Sequence, residues 1–179
     1  IYTIQHTLSL HDALPICGDG PPGIVTQADF DDAAQRLAAR AARGFDGDFQ
    51  AVVIACFSDP GLQAARGHCD LPIVGLGEAG MRRALQSGRR VGVVAVAEAA
   101  IPRHLAYWER LGVAGRVVGE RALNLSVADS GDAAQAFGRM HAAALVLRDE
   151  LHADAILLGC AGMSALRERL QQSMGIAVI

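Results

Sequence analysis

Apolar residues along this chain gather in short, nearly solid runs, separated by longer stretches where they recur every three or four positions. The clearest runs are "FQAVVIAC" (49–56), "LPIVGL" (71–76), "RVGVVAVA" (90–97) and "AILLG" (155–159). Each is short and rich in branched apolar residues, the pattern of strands buried on both faces. "GRVVG" (115–119) and "IAVI" (176–179) predict two shorter strands. The stretches between them predict helices. One covers 28–44, with an Asp-rich start and a stop at Gly44. Another covers 60–68, opened by Pro60. Further helices are predicted over 77–88, 102–112, 132–152 and 163–175. Strands alternating with helices imply an α/β fold with parallel sheets and helices on their faces.

The pattern repeats. A shift of 104 positions lays residues 51–74 on 155–178 without a gap, Ala51 on Ala155, Cys56 on Cys160 and Leu62 on Leu166. Upstream, the helix near 30–43 falls close to the helix at 132–150. Helix, strand, cysteine, helix and strand in one order predict two related α/β lobes. Each carries a cysteine at the carboxyl end of a strand, where open α/β sheets bind ligands. The expected division is 17–88 for the first lobe and 89–179 for the second. Residues 1–16, "IYTIQHTLSLHDALPI", have no clean period, and the composition changes abruptly at "CGDGPPG". They are expected to be non-native, with an irregular strand as the alternative. By the repeat, the first lobe's opening strand lies before residue 1 and the last strand stops abruptly at Ile179. The expectation is a fragment, itself inactive in one reading, whose last strand and missing tail return to the first lobe.

Composition narrows the chemistry. A net charge of −3 argues against nucleic acid as the main partner. No apolar run reaches the roughly 18 residues of a membrane span, and no signal peptide is visible, so a cytoplasmic protein is expected. All sixteen basic residues are arginines, which excludes Schiff-base chemistry on a lysine, pyridoxal phosphate included. The four cysteines are too sparse for a disulfide scaffold and lack metal-site spacing, so neither a metal nor a cofactor is expected. The expected partners are a small-molecule substrate and further copies of the chain.

Cys56 and Cys160 each precede a predicted helix, beginning near Pro60 and near Met163. A helix start favours thiolate over thiol. If the lobes face each other, one thiolate takes a proton from a carbon and the opposite thiol returns one, inverting the centre without a cofactor. Each sulfur then sits about 3–3.5 Å from that carbon. The carbon must adjoin a carbonyl, and backbone N–H groups after each cysteine can hold the enolate oxygen. The competing reading of either cysteine is a small core residue. Cys69, with no repeat partner, is read as structural, and Cys17 has no role.

"IACFSDPGLQAAR" (54–66) and "LLGCAGM" (157–163) resemble the two cysteine motifs of the aspartate/glutamate/hydantoin racemase family. "LPIVGLGEAG" and "VGVVAVAEAAIPRHLAYWERLG" resemble intervening segments of its hydantoin/allantoin branch, and the resemblance runs from about residue 22 to the end. It implies two pseudo-symmetric flavodoxin-like lobes, an active site between them, and cofactor-independent two-base catalysis by Cys56 and Cys160. Amino-acid racemases of the family usually follow the first cysteine with Asn-Thr and the second with Thr and then His or Glu. Phe57-Ser58 and Ala161-Gly162 stand here instead. That less polar lining suits a hydantoin ring, read by backbone amides and Ser58. Ala95 and Val96 replace two threonines found in many hydantoin racemases, and the family's Asn-Pro-Asn motif is absent.

Other residues keep two readings. Ser58 donates to a substrate carbonyl or caps the helix after it. Asp59 complements that helix start or, as a substrate-binding residue, acts as a base. Glu78 complements the start of a helix or, as the family's recurrent Gly-Glu implies, supports the site. His104 is a surface or capping residue, with a catalytic role the minor reading. Tyr107 and Trp108 pack in the core or at a subunit contact, and Arg82, Arg83, Arg89 and Arg90 form a solvated face. The leading expectation is a racemase of a 5-substituted hydantoin or allantoin. Its rivals on the same fold are an Asp/Glu racemase, a maleate isomerase and an arylmalonate decarboxylase. A non-catalytic binder is the rival from another class.

Overall fold

A computed structural model describes residues 2–4, 13–15, 23–45 and 49–179; the remainder, Cys17 among them, lies outside the described residues. The chain divides into two compact units, Ile1–Ala79 and Gly80–Ile179. The division falls inside the helix predicted over 77–88.

In the first unit, helix α1 (Gln27–Arg43) starts at a reciprocal cap. The Thr26 hydroxyl accepts from Asp29 N–H at 3.1 Å, and the Asp29 carboxylate accepts from Thr26 N–H at 2.8 Å. Two donors that the helix leaves without partners are satisfied there, worth about 1 kcal/mol. Strand β3 (Ala51–Ile54) follows, then α2 (Leu62–His68) and β4 (Ile73–Gly75). α1 lays Leu37 and Ala41 against Val52, Ile54, Leu62, Ala65 and Ile73. α2 begins at Leu62, not Pro60, because Asp59 (φ 47°) and Gly61 (φ 72°) both turn through the left-handed region first. Two short strands, β1 (Tyr2–Ile4) and β2 (Ala13–Pro15), complete a sheet of order β2-β1-β3-β4. β3 and β4 are parallel, while β1 runs antiparallel to both β2 and β3.

Helix α3 (Leu76–Ser87) leads into the second unit. Its strands are β5 (Val91–Ala95), β6 (Val117–Ala122), β7 (Ala155–Leu158) and β8 (Ala177–Val178), in the order β6-β5-β7-β8 and all parallel. β5 and β7 are buried at every residue, as the solid apolar runs predict. Helix α4 (Ile101–Arg110) joins β5 to β6. Helix α5 (Ala133–Leu145), capped by the Asp132 carboxylate and extended by a wider turn over 146–150, joins β6 to β7. It packs Ala136, Met140 and Ala144 into a core shared with Val94, Ile156 and Leu158. After β7 comes a 3-10 segment over Ala161–Leu166, and only then α6 (Arg167–Met174). The predicted 115–119 strand runs on to Ala122. No helix among the described residues is long and apolar enough to cross a membrane.

Candidate active site

Both candidate cysteines open the same local turn. Where β3 ends, Cys56 C=O accepts from Asp59 N–H at 3.0 Å; where β7 ends, Cys160 C=O accepts from Met163 N–H at 3.1 Å. The repeat seen in sequence therefore extends to one hydrogen bond. Each cysteine is half-buried, against its own unit's core.

In the first unit the turn is held from below by α3. Asp59, 5% exposed, accepts from Gly77 N–H at 3.0 Å on one carboxylate oxygen and from Glu78 N–H at 2.7 Å on the other. Asp59 thus complements the start of α3 rather than that of α2. A side-chain carbon at Gly77 would meet the Phe57 carbonyl oxygen at 2.0 Å, so the close approach of turn and helix requires glycine there. Phe57 and Ser58 are buried in the turn. Gly61, not Ser58, occupies the N-cap of α2. Glu78, in the first turn of α3, pairs with Arg66 Nη1 at 2.8 Å. Arg66 also donates to the Ile73 carbonyl from Nε and Nη2, at 3.0 and 2.8 Å. One cation thereby ties α2, the start of β4 and α3 around the Cys56 turn. Sequence reasoning singled out Glu78 but not Arg66.

In the second unit Gly159 N–H donates to Val94 C=O at 2.8 Å, which sets Cys160 beside the end of β5. A side-chain carbon at Gly159 would fall 2.6 Å from that oxygen and 3.2 Å from Ala95 Cα. Ala95 and Val96, both buried, are therefore neighbours of the Cys160 turn. Val96 C=O accepts from Leu125 N–H at 3.2 Å, drawing in the segment after β6. Ala161 and Gly162 begin the 3-10 segment, and their N–H groups take no partner among the described residues. Such groups can donate to an oxygen on which negative charge develops. The fully buried Ser130 sits with its hydroxyl 3.5 Å from Cys160 Sγ. No sequence signal found it, because only the fold brings 130 to 160. Neither cysteine stands directly before an α-helix, where the sequence places both. Cys160 precedes a 3-10 turn and Cys56 lies beyond the first turn of α2, where a helix dipole has little reach.

Several other expectations resolve. His104 is 2% exposed, not at the surface. Its Nδ1 lies 3.0 Å from Glu120 Oε2, and Trp108 Nε1 donates to Glu120 Oε1 at 2.8 Å. Both rings project from α4 onto β6, and Tyr107 stacks on Trp108. Cys69 Sγ accepts from Leu71 N–H at 3.3 Å and packs on the first core. Arg82, Arg83, Arg89 and Arg90 are exposed, though Arg90 also donates to the His152 and Leu151 carbonyls. No three His, Cys, Asp or Glu among the described residues are grouped to hold a metal.

Two α/β units, each with a cysteine turn at the carboxyl end of a strand that pairs in parallel with the strand after it, define a class of duplicated α/β proteins. The chain belongs to the Asp/Glu/Hydantoin racemase family, whose sequence pattern matches residues 16–179. It is 33% identical over 162 residues to a hydantoin racemase of Rhizobium meliloti, covering 90% of this chain and 67% of that one. It is 34% identical over 142 residues to a hydantoin racemase of Pseudomonas sp. (strain NS671), covering 76% and 55%. Among solved structures it is similar to allantoin racemase from Klebsiella pneumoniae, with a TM-score of 0.79, 26% identity and coverage of 90% and 66%. The chain thus spans between about half and two thirds of the length of these relatives.

Proposed function

We propose that this chain is part of a cofactor-independent racemase of a 5-substituted hydantoin or allantoin-type carbon acid. The observation that carries the reading is the matched pair of cysteine turns at the ends of β3 and β7. In this reading Cys56 and Cys160 reach one substrate carbon from opposite faces. One thiolate removes the proton from the carbon beside the carbonyl; the other thiol delivers a proton to the opposite face. The charge developing on the carbonyl oxygen is met by the N–H groups of Ala161 and Gly162. Phe57, Ser58, Ala95 and Val96 line the substrate, and Asp59 and Glu78 hold the first turn. The apolar Ala161-Gly162 pair, with Ala95 and Val96, favours a cyclic imide over a free amino acid, whose charged groups need polar partners. The names of the two hydantoin racemases and the allantoin racemase support the same substrate class. We further propose that the protein works inside the cell, as a homo-oligomer.

The test uses this chain and a form extended to the length of its relatives. Each is assayed in D2O by chiral chromatography on 5-substituted hydantoins, allantoin, aspartate and glutamate. Racemisation with deuterium entry at the stereocentre is expected on the cyclic imides. Cys56→Ser and Cys160→Ser should each abolish it, with wash-in of deuterium surviving for one enantiomer at most. Full activity in both single variants would overturn the mechanism, and turnover of glutamate alone would overturn the substrate class.

A further inference from the structure

Ser130 lies in a tight turn that the sequence reading left without a role. Ser126 Oγ accepts from Asp129 N–H at 3.0 Å and donates to Asp129 Oδ2 at 2.7 Å. Ser126 C=O accepts from Ser130 N–H at 3.0 Å. This fixes the Ser130 side chain in a fully buried place, against the Cys160 turn. Its Oγ is 2.7 Å from the Val127 carbonyl oxygen and 3.5 Å from Cys160 Sγ. A side-chain carbon at Gly162 would come 2.8 Å from the same Oγ, so glycine there keeps the hydroxyl in place.

A serine hydroxyl has one hydrogen to donate and lone pairs to accept. Here two acceptors compete for that hydrogen, and their demand depends on Cys160. Beside a neutral thiol, the hydroxyl donates to Val127 C=O and accepts a hydrogen bond from the S–H group. Beside a thiolate, it turns about the Cβ–Oγ bond and donates to sulfur, since a bond to an ion is about twice as strong as a neutral one. We infer that Ser130 is a positioning residue whose hydroxyl follows the protonation state of Cys160, giving sulfur a partner in both states. The inference deepens the racemase reading and rests on it for its use, because a two-base racemase needs Cys160 to be acid in one direction and base in the other.

The experiment measures the rate of iodoacetamide labelling of Cys160 as a function of pH, peptide by peptide, by mass spectrometry. It compares the unsubstituted chain with Ser130→Ala and Ser130→Thr, and Cys69 in the same digest serves as the internal reference. In Ser130→Ala the Cys160 profile should move to higher pH, slowing labelling near pH 7 by about three- to tenfold. Cys69 should not change, and Ser130→Thr, which keeps the hydroxyl, should restore the original profile. An unchanged Cys160 profile in Ser130→Ala would overturn the inference. So would a shift shared by Cys69, or one that Ser130→Thr does not reverse while its circular dichroism is native. Labelling needs no turnover, so failure here leaves the racemase reading standing. An absence of racemisation in the unsubstituted chain and its extended form would sink that reading and leave the labelling result intact.

Discussion

In the second sheet the strand beside β7 is β5, parallel to it and buried throughout; in the first, the strand beside β3 is β1, which runs the other way. The two sheets share an order of places, β2-β1-β3-β4 against β6-β5-β7-β8, and differ in the direction of one strand. That difference decides what reaches each cysteine. The chain leaving β5 at Ala95 and Val96 passes beside Cys160. β1 pairs Tyr2 with Val53, so it presents its amino end on the side of Cys56. Neighbouring place in a sheet is not enough to bring a strand's outgoing chain to a cysteine turn; the strand must also point the right way. The first unit completes its turn from the other neighbour, β4, whose carboxyl end starts α3 and supplies Gly77 and Glu78.

The largest expected effect is symmetric across this asymmetric frame. Cys56→Ser and Cys160→Ser should each lower racemisation by more than about a hundredfold. A variant that kept activity would break the equivalence of the two turns. Next comes Glu120→Ala, confined to the second unit. It removes the buried carboxylate that both His104 and Trp108 bond, at a cost of about 3 kcal/mol. Trp108 is the only tryptophan, so its fluorescence transition in urea should fall to lower denaturant. Gly77→Ala and Gly159→Ala then compare the two turns directly, each driving a methyl group onto a carbonyl oxygen. Each should cost about 1–3 kcal/mol by far-UV circular dichroism, with Gly77→Ala the worse.

The smallest effect is a pH dependence. Burial pushes the Asp154 carboxyl upward, but N–H groups led by that of Arg90, with the charge of Arg116 nearby, outweigh it and hold it below the ordinary 3.8. A depressed carboxyl stabilises the fold fully above its unfolded value and loses that contribution as pH falls through the folded one. Asp154→Ala should therefore lower the unfolding free energy measured in urea at pH 7, by less than about 1 kcal/mol at so exposed a site, and the gap should close as pH falls below 3.8.

The sequence made β5 and β7 legible because strands covered on both faces must be apolar throughout. α1 was legible through its acidic start and Gly44, and the cysteine turns through their repetition. Three features were not. β1 depends on pairing with β3, a non-local choice that leaves no local pattern in three residues. The 3-10 start after Cys160 looks like any helix start in composition. His104, expected as a surface or capping residue, meets Glu120 sixteen residues on, and only the packing of α4 on β6 buries the two together. Ser130 belongs with these, being thirty residues from the sulfur it faces.

Asp59 carries two demands that no single residue type meets fully. Its backbone, at φ 47°, would be most relaxed as glycine, while its carboxylate grips two amides at the head of α3. Asparagine keeps the backbone tolerance with one acceptor oxygen in place of two, and glutamate keeps the charge on a longer stem. Mutational drift at this position should accordingly be narrow, and a saturation library selected for foldability should return aspartate first and asparagine a distant second.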